Sequence, residues 1–283
     1  MTGDQLPGSV RALDLSDLPA CQAVALTRDW TDSEARWRLL LTAGDGFGID
    51  DPDGGLAGVV VLTRYPPNVA VVGMLIVAAR HARRGLGRAL MQHCLAQAAD
   101  DVVYLYATKY GRPLYEKLDF QVADAVVKHT GQFQPGALPP VPTVRPPRPA
   151  DSGDVLRLDR AVFGADRSAL LAALGAVADQ VVVAQDQRGI VGHAAAWRTD
   201  GVLTVGPVVA RDDAVARALI QAVAAAEPGP VRVDIHERCA GLSQWAAARG
   251  LLGGSPVPLM VHRGQPLPGD RDQLYAPVML GLG

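Results

Sequence analysis

Cysteine and aromatic residues are scarce in this sequence. Its 283 residues contain three cysteines, and aromatic residues make up 5% of the chain. Three thiols far apart (Cys21, Cys94 and Cys239) exclude a disulfide framework and indicate a reducing compartment, so we expect a cytoplasmic protein. The opening MTGDQLPGSV lacks a charged start followed by an apolar segment, and we therefore expect no signal peptide.

A strong charge of one sign and long apolar runs are also lacking. The formal net charge is −2, which argues against nucleic acid as a partner. No uninterrupted apolar stretch reaches the length of a membrane span, so we expect no membrane partner. The six histidines show no paired ligand spacing, which predicts no metal site. The apolar fraction of 49% and the chain length suit two α/β domains with packed cores.

One stretch combines an apolar strand, a basic glycine turn and a helix. The strand covers Val69–Val77, and apolar residues recur at helical spacing from Leu90. The turn between them carries four arginines and two glycines: Arg80, Arg83, Arg84, Gly85, Gly87 and Arg88. Such a turn directs free N–H groups and the helix dipole at one place, and glycine lets a ligand approach the backbone. It predicts a phosphate or diphosphate site.

The spacing of the turn excludes two common phosphate motifs. A Rossmann fingerprint needs glycine where Leu90 stands, and a P-loop needs lysine after Gly87. What remains, Ala82-Arg-Arg-Gly-Leu-Gly87, resembles the acetyl-CoA loop of the GNAT acetyltransferase superfamily, whose pattern is Gln/Arg-x-x-Gly-x-Gly/Ala. Only Ala82 departs from the pattern, and this departure removes a side chain but no backbone donor.

The resemblance implies a mixed α/β fold, an α+β mixed sheet flanked by helices, with acetyl-CoA as the acetyl donor. It implies that the diphosphate is bound by the loop residues Arg83, Arg84, Gly85, Leu86, Gly87 and Arg88. It also implies that the pantetheine arm pairs, like an added strand, with the backbone of Leu75, Ile76 and Val77. Tyr115, in the segment VYLYATKYGRPLYEKLDF, matches the family's tyrosine that protonates the leaving thiolate.

The acceptor pocket is expected between the two helices before the hairpin, the strand Val102 to Ala107 and the second half of the chain. Tyr104 and Tyr106 share one face of that strand. Trp30 and Trp37 are further candidates to line the pocket. Ser16 is expected to cap the first helix, and Thr31 or Asp32 to begin the second.

The second half of the chain repeats the first. Seven prolines between Gln134 and Ala150 predict an extended linker. Beyond it, Thr204-Val-Gly206 echoes Val71-Val-Gly73, but the following loop has no glycine and carries Asp212 and Asp213. We therefore predict a catalytic domain (1–133), a linker (134–143) and a C-terminal domain without a CoA loop (144–283). The arrangement resembles the two-domain YitH-like GNAT group.

The general base is left open by the sequence, since residues 70–79 contain no carboxylate. His81 is expected to point into solvent, and Asp32 and Glu34 can be ordinary first-turn acids. Three residues of the second half could reach the acceptor across the interface: His193, Asp234 and His236. A water chain, or an acceptor that arrives neutral, would serve equally well.

The predicted function is transfer of acetyl from acetyl-CoA to the amine of a small molecule by direct attack in a ternary complex. Two alternatives stay open at this point. The missing strand carboxylate would fit an acyl-CoA-binding regulatory module without turnover. An open peptide groove would fit a protein N-acetyltransferase.

Overall fold

The computed structural model describes residues 9–30, 33–138 and 142–283. Nothing is described of residues 1–8, 31–32 or 139–141, so Thr31, Asp32 and part of the predicted linker lie outside the described residues. The first half follows the predicted order of elements, and the helix Leu86–Ala98 begins inside the arginine turn. Its elements are β1 (Arg11–Leu13), α1 (Leu18–Leu26), α2 (Glu34–Ala43), β2 (Asp45–Asp50), β3 (Leu56–Tyr65), β4 (Val69–Val77), α3 (Leu86–Ala98), β5 (Val102–Tyr106), α4 (Arg112–Glu116) and β6 (Phe120–Gly131).

The second half repeats this order after the linker. Short 3₁₀ turns precede the first helix of each half and a strand near the end of the chain. The elements are β7 (Thr143–Arg145), α5 (Ser152–Phe163), α6 (Ser168–Val177), β8 (Gln180–Asp186), β9 (Gly189–Thr199), β10 (Val202–Ala210), α7 (Asp213–Ala224), β11 (Val231–His236), α8 (Ala240–Ala248), β12 (Leu252–His262) and β13 (Leu274–Ala276).

The two predicted helix starts in the first half need correction. Asp14, and not Ser16, accepts the capping hydrogen bond, and it caps a 3₁₀ turn before α1. The second helix begins at Glu34, where the Ser33 hydroxyl accepts from the Arg36 amide. Both sites carry a short polar side chain, which is the residue type that satisfies a free N–H at a helix start.

The thirteen strands of the described residues form one continuous sheet, and the two halves exchange strands in it. The order is β1-β2-β3-β4-β5-β12-β6-β11-β10-β9-β8-β7, and β13 pairs with β10. Strand β12 of the second half lies antiparallel between β5 and β6 of the first half. Strand β6 in turn pairs with β11 of the second half, with Val126 opposite His236. The two halves therefore form their central strands together.

Strands β4 and β5 form a fork. They pair in parallel only from Val69 to Val71, although β4 continues to Val77. Where the strands separate, β4 bulges against β3, with Met74 at a φ of 53°. The bulge bends β4 away from β5, so the later part of β4 has no strand partner on its β5 side within the described residues.

The second half has the same fork, but it is filled. Strands β10 and β11 pair only as far as Val205, and β10 bulges at Gly206-Pro207. Strand β13 then pairs antiparallel with the free side of β10, at Val208 and Val209. The Pro277 carbonyl oxygen lies so close to Gly206 that a side chain there would not fit. Strand β13 therefore occupies the side of β10 whose counterpart, beside the later part of β4, holds no strand of the described residues.

Three apolar clusters hold the sheet between helices. The first lies under α1, α2, α5 and α6 and includes Trp37 and Tyr104. The second packs α7 against the sheet, and the third packs α3 against it. The three cysteines are free thiols, and burial raises the pKa of Cys94 to about 12, as suits a packing residue. Among helices within the described ranges, none has both the length and the apolar composition to cross a bilayer.

Candidate functional site

The arginine turn forms a helix start with free backbone donors. Gly85 is the N-cap of α3, at a φ of 84° that glycine adopts without strain, and it has no side chain to cap the helix. The first hydrogen bond of the helix runs from the Ala89 amide to the Gly85 carbonyl oxygen, at 3.0 Å. The amides of Leu86, Gly87 and Arg88 come before it and have no carbonyl oxygen of the helix to bond. These donors, with exposed Arg83 and Arg84, suit an anion.

A buried carboxylate braces this turn, contrary to the expectation that His81 points into solvent. His81 is 7% exposed, and its Nε2 lies 2.5 Å from Oδ2 of Asp51. Arg80 donates to the same oxygen. The Nδ1 of His81 lies 3.2 Å from an Arg84 nitrogen, which can only donate, so Nδ1 accepts and Nε2 carries the proton.

The charge of Asp51 is stabilised by its surroundings. Hydrogen bonds from the Asp53 amide, His81 and Arg80 lower the pKa of Asp51 to about 2, against the effect of burial. An ionised Asp51 thus links the turn after β2 to the arginine turn. The sequence showed Asp51 only as a turn residue, and nothing in its spacing from His81 identified the pair.

The open side of β4 offers backbone groups of two of the three predicted residues. The Ala78 amide bonds Ala57 on β3, and antiparallel pairs alternate, so Ile76 also directs its N–H and C=O to β3. Val77 and Leu75 direct theirs to the open fork. Arg28 confirms this direction for Val77, since its Nε donates to the Val77 carbonyl oxygen at 2.7 Å. Pairing of the pantetheine arm with Ile76 stays a prediction, and the pairing with β3 favours Leu75 and Val77 for that role.

Tyr115 lies on α4, on the same face of the sheet as α3. It is 7% exposed, and its ring packs 6.0 Å from the ring of Phe120 and against Gly111. Burial raises the pKa of Tyr115 to about 12, so the phenol stays protonated at neutral pH. It packs in the core and keeps the proton that a general acid needs.

The four predicted acceptor-side aromatics differ in exposure. Trp30 is 37% exposed at the end of α1, whereas Trp37 has no exposed surface and is a core residue that cannot line an open pocket. Tyr104 and Tyr106 share a face as predicted, with ring centroids 6.2 Å apart. Tyr104 is 1% exposed, and Tyr106 is half-buried.

The candidate bases have different surroundings. Glu34 is exposed and pairs with Arg38 at 2.6 Å, one helical turn away. Asp234 shares a face with His236 as predicted, but it accepts both hydrogen bonds of Arg232. His193 lies 3.2 Å from Asp159 in the second half.

Among the candidate bases, His236 has a polar contact with a side chain of the first half. Its Nδ1 lies 2.8 Å from Oδ2 of Asp124 on β6, and its ring is 6.4 Å from that of Tyr106. Asp124 stands 112 positions from His236, and the sequence did not single it out.

The second half has neither an uncapped helix start like that of α3 nor a tyrosine in the position of Tyr115. Its helix α7 is capped by Asp212, whose carboxylate accepts from the Val215 amide at 2.9 Å. A carboxylate of the chain thus takes the place of the predicted anion. When Asp119-Phe120 is aligned with Gly250-Leu251, Ala246 stands opposite Tyr115, and it is a buried alanine on α8.

Comparisons with known proteins find a family match in each half of the chain. Residues 12–120 match the model of the acetyltransferase (GNAT) family, and residues 155–276 match that of an acetyltransferase (GNAT) domain. The chain is similar to the uncharacterized N-acetyltransferase YitH of Bacillus subtilis, with 30% identity over 90% of this chain and 91% of that protein.

Two solved structures share the fold over nearly the whole chain. A putative acetyltransferase from Pyrococcus horikoshii matches with a TM-score of 0.79 and 16% identity over 100% of this chain and 99% of that one. A tandem GNAT protein from the clavulanic acid biosynthesis pathway matches with a TM-score of 0.61 and 14% identity over 91% and 99%. At such identities the likeness concerns the fold.

Proposed function

Because the chain belongs to the GNAT acetyltransferase superfamily and is an acyltransferase, we propose that it transfers acetyl from acetyl-CoA to the amine of a small molecule by direct attack in a ternary complex. The observation that carries this proposal is the position of the open fork of β4 beside the uncapped start of α3. The fork supplies backbone groups with which an extended pantetheine arm can pair as a strand does. The start of α3 supplies free amides and arginines for the diphosphate.

Each residue of the site has a role in this proposal. The amides of Leu86, Gly87 and Arg88, with the side chains of Arg83 and Arg84, bind the diphosphate. Leu75 and Val77 pair with the pantetheine arm, and Arg28 gives up its bond to Val77 or donates to the arm instead. The Leu75 N–H is the donor for the thioester oxygen, a contribution typically worth about 3 kcal/mol.

Tyr115 acts as the general acid of the proposed reaction. As the acceptor nitrogen bonds to the acetyl carbon, the carbon–sulfur bond breaks, and Tyr115 donates a proton to the leaving thiolate. Its raised pKa, about 12, keeps that proton available at neutral pH.

A small acceptor is favoured over a peptide because the second half covers the acceptor side of the sheet. Residues 278–283 pass over β4, where the Gly281 backbone leaves no room for a side chain on Gly73. The Tyr65 hydroxyl donates to the Leu282 carbonyl oxygen at 2.6 Å, which fastens this segment. The three free thiols favour a reducing cytoplasm as the location.

Calorimetry with acetyl-CoA and a transfer assay test the proposal. We expect one acetyl-CoA bound per chain, and acetylated product from radiolabelled acetyl-CoA with a panel of small amines. A double variant, R83A/R84A, should bind more weakly, whereas Arg211→Ala at the matching turn of the second half should bind as the wild type does. No heat with acetyl-CoA would overturn the proposal; heat without transfer to any amine would make the protein an acyl-CoA-binding module.

A further inference from the structure

Three buried polar atoms at the seam between the halves have no hydrogen-bond partner in the described part of the chain. They are the Tyr104 hydroxyl oxygen, the Nε2 of His236 and one terminal nitrogen of Arg271, Nη2. Buried polar groups are nearly always paired, and leaving one unpaired typically costs about 1–3 kcal/mol. Three of them near one another indicate a site for a polar ligand.

Ring contacts connect these three residues. The ring of Tyr106 lies 6.2 Å from that of Tyr104 and 6.4 Å from that of His236. The Arg271 guanidinium lies 5.6 Å from the Tyr104 ring. Tyr106 stands on β5 beyond the point where β4 leaves it, so the group lies beside the open fork. Half-buried Tyr106 and Asp124 bring the edge of the group to the surface.

The surroundings of His236 make it an acceptor at Nε2. Asp124 contacts the Nδ1 of His236 and accepts a hydrogen bond from Arg238. Burial alone would raise the pKa of Asp124, but these two partners lower it below its usual value. An ionised Asp124 accepts, so Nδ1 carries the proton and Nε2 has a free lone pair. Burial, with Arg238 and Arg271 nearby, lowers the pKa of His236 against the opposing effect of Asp124, which favours the neutral ring.

Arg271 brings an unmatched cation to the same seam. Its Nε donates to the Pro268 carbonyl oxygen at 2.9 Å, and its guanidinium lies 4.0 Å from the Phe163 ring. No carboxylate in the described ranges lies within ion-pair distance of it. A guanidinium with a free edge among aromatic rings suits a carboxylate from outside.

We propose that this seam binds an amine that also carries a carboxylate: Arg271 binds the carboxylate, and His236, positioned by Asp124, is the general base of the acetyl transfer. The inference rests on the proposed function. As the amine nitrogen forms its bond to the acetyl carbon, one N–H proton passes to Nε2 of His236. The electron pair of the carbon–sulfur bond leaves with sulfur, which takes its proton from Tyr115.

The test uses the full chain with amino acids and, as matched probes, the carboxamides of the same amino acids. His236→Gln should lower kcat about a hundredfold and leave the Kd for acetyl-CoA within twofold. It should also remove the acidic limb of the pH–kcat profile. Arg271→Met should raise KM at least tenfold for amino acids and change it little for their carboxamides.

Two controls separate catalysis from folding. His129→Gln changes another buried histidine of the sheet and should keep wild-type kcat. Imidazole added to His236→Ala should restore part of the lost rate, which a purely structural histidine would not permit. Asp124→Asn should lower kcat less than His236→Gln does.

The outcomes are distinct. Wild-type kcat in His236→Gln would overturn the role of His236 and leave the proposed function standing. Equal KM effects of Arg271→Met on both probe sets would overturn the carboxylate site. A wild-type protein that binds acetyl-CoA and acetylates no amine would overturn the proposed function and this inference together.

Discussion

The two halves of the chain share a strand with a bulge, a turn and a helix, yet only the first leaves them accessible. In the first half the fork after β4 is open, and Gly85 begins α3 without a capping side chain. In the second half β13 fills the fork after β10, and Asp212 caps α7. The comparison teaches that one fold can leave a strand edge and a helix start free in one copy and occupy both with its own residues in the other.

The largest expected effect comes from removing the Tyr115 hydroxyl, a group that the second half lacks because Ala246 stands in that position. Tyr115→Phe removes only the hydroxyl and should lower kcat about a hundredfold or more, because general acids typically contribute about 10²–10⁴. The Kd for acetyl-CoA should stay within twofold. Steady-state kinetics and calorimetry provide the measurements. Tyr110→Phe changes an 83% exposed tyrosine and should match the wild type. Equal kcat values in both variants would remove Tyr115 from the mechanism.

The next largest effect comes from placing at the start of α3 the carboxylate that Asp212 supplies at the start of α7. Gly85→Asp places a carboxylate beside the diphosphate site. A charge pair about 5 Å apart at an effective dielectric constant of about 20 repels by about 3 kcal/mol, so Kd for acetyl-CoA should rise about a hundredfold. Gly85→Asn is the matched control, because asparagine adopts a positive φ about as readily as aspartate does and adds no charge. Calorimetry should find the aspartate variant much weaker than the asparagine variant; equal affinities would show that charge at this position is irrelevant.

A smaller effect is expected at Asp51, which braces the arginine turn as Asp186 braces the turn at Arg211 in the second half. Asp51→Asn should raise Kd for acetyl-CoA a few-fold and lower the free energy of unfolding at pH 7. The pKa of Asp51 is lowered from 3.8 to about 2, so its stabilisation is present above pH 4 and is lost as pH falls toward 2. Denaturant unfolding of both proteins from pH 7 to 2 should show their difference shrinking below pH 4. A difference independent of pH would contradict the charge argument.

The smallest effect is expected from the reverse change in the second half. Asp212→Gly uncaps α7, but β13 still fills the fork, so calorimetry should still find one acetyl-CoA per chain. The melting temperature should fall slightly, since replacing a capping aspartate by glycine typically costs roughly 0.3 kcal/mol. A second bound acetyl-CoA would mean that the cap alone, and not the filled fork, keeps the second half empty.

Features set by local sequence patterns could be predicted, whereas features set by contacts between residues distant in the sequence could not. The bounds of β4 follow from an apolar run ended by a glycine turn, whereas α3 begins at Leu86, before the helical spacing that starts at Leu90. The loss of the second loop follows from Asp212 and Asp213. In contrast, the position of His81 depends on Asp51, and that of His236 on Asp124 from the other half. The direction of Ile76 toward β3 depends on the register of the sheet, and the burial of Trp37 on helices of the second half.

The exchange of β12 and β6 has a consequence for anyone who divides this protein. A fragment that stops before the linker would carry β6 with both of its neighbours gone, because β12 and β11 flank it. Its backbone groups would then be free to join other chains, and such bare strand edges promote aggregation. The two pieces expressed in the same cell should instead find each other and rebuild the sheet, which makes this chain a candidate for a split reporter rather than a source of separable modules.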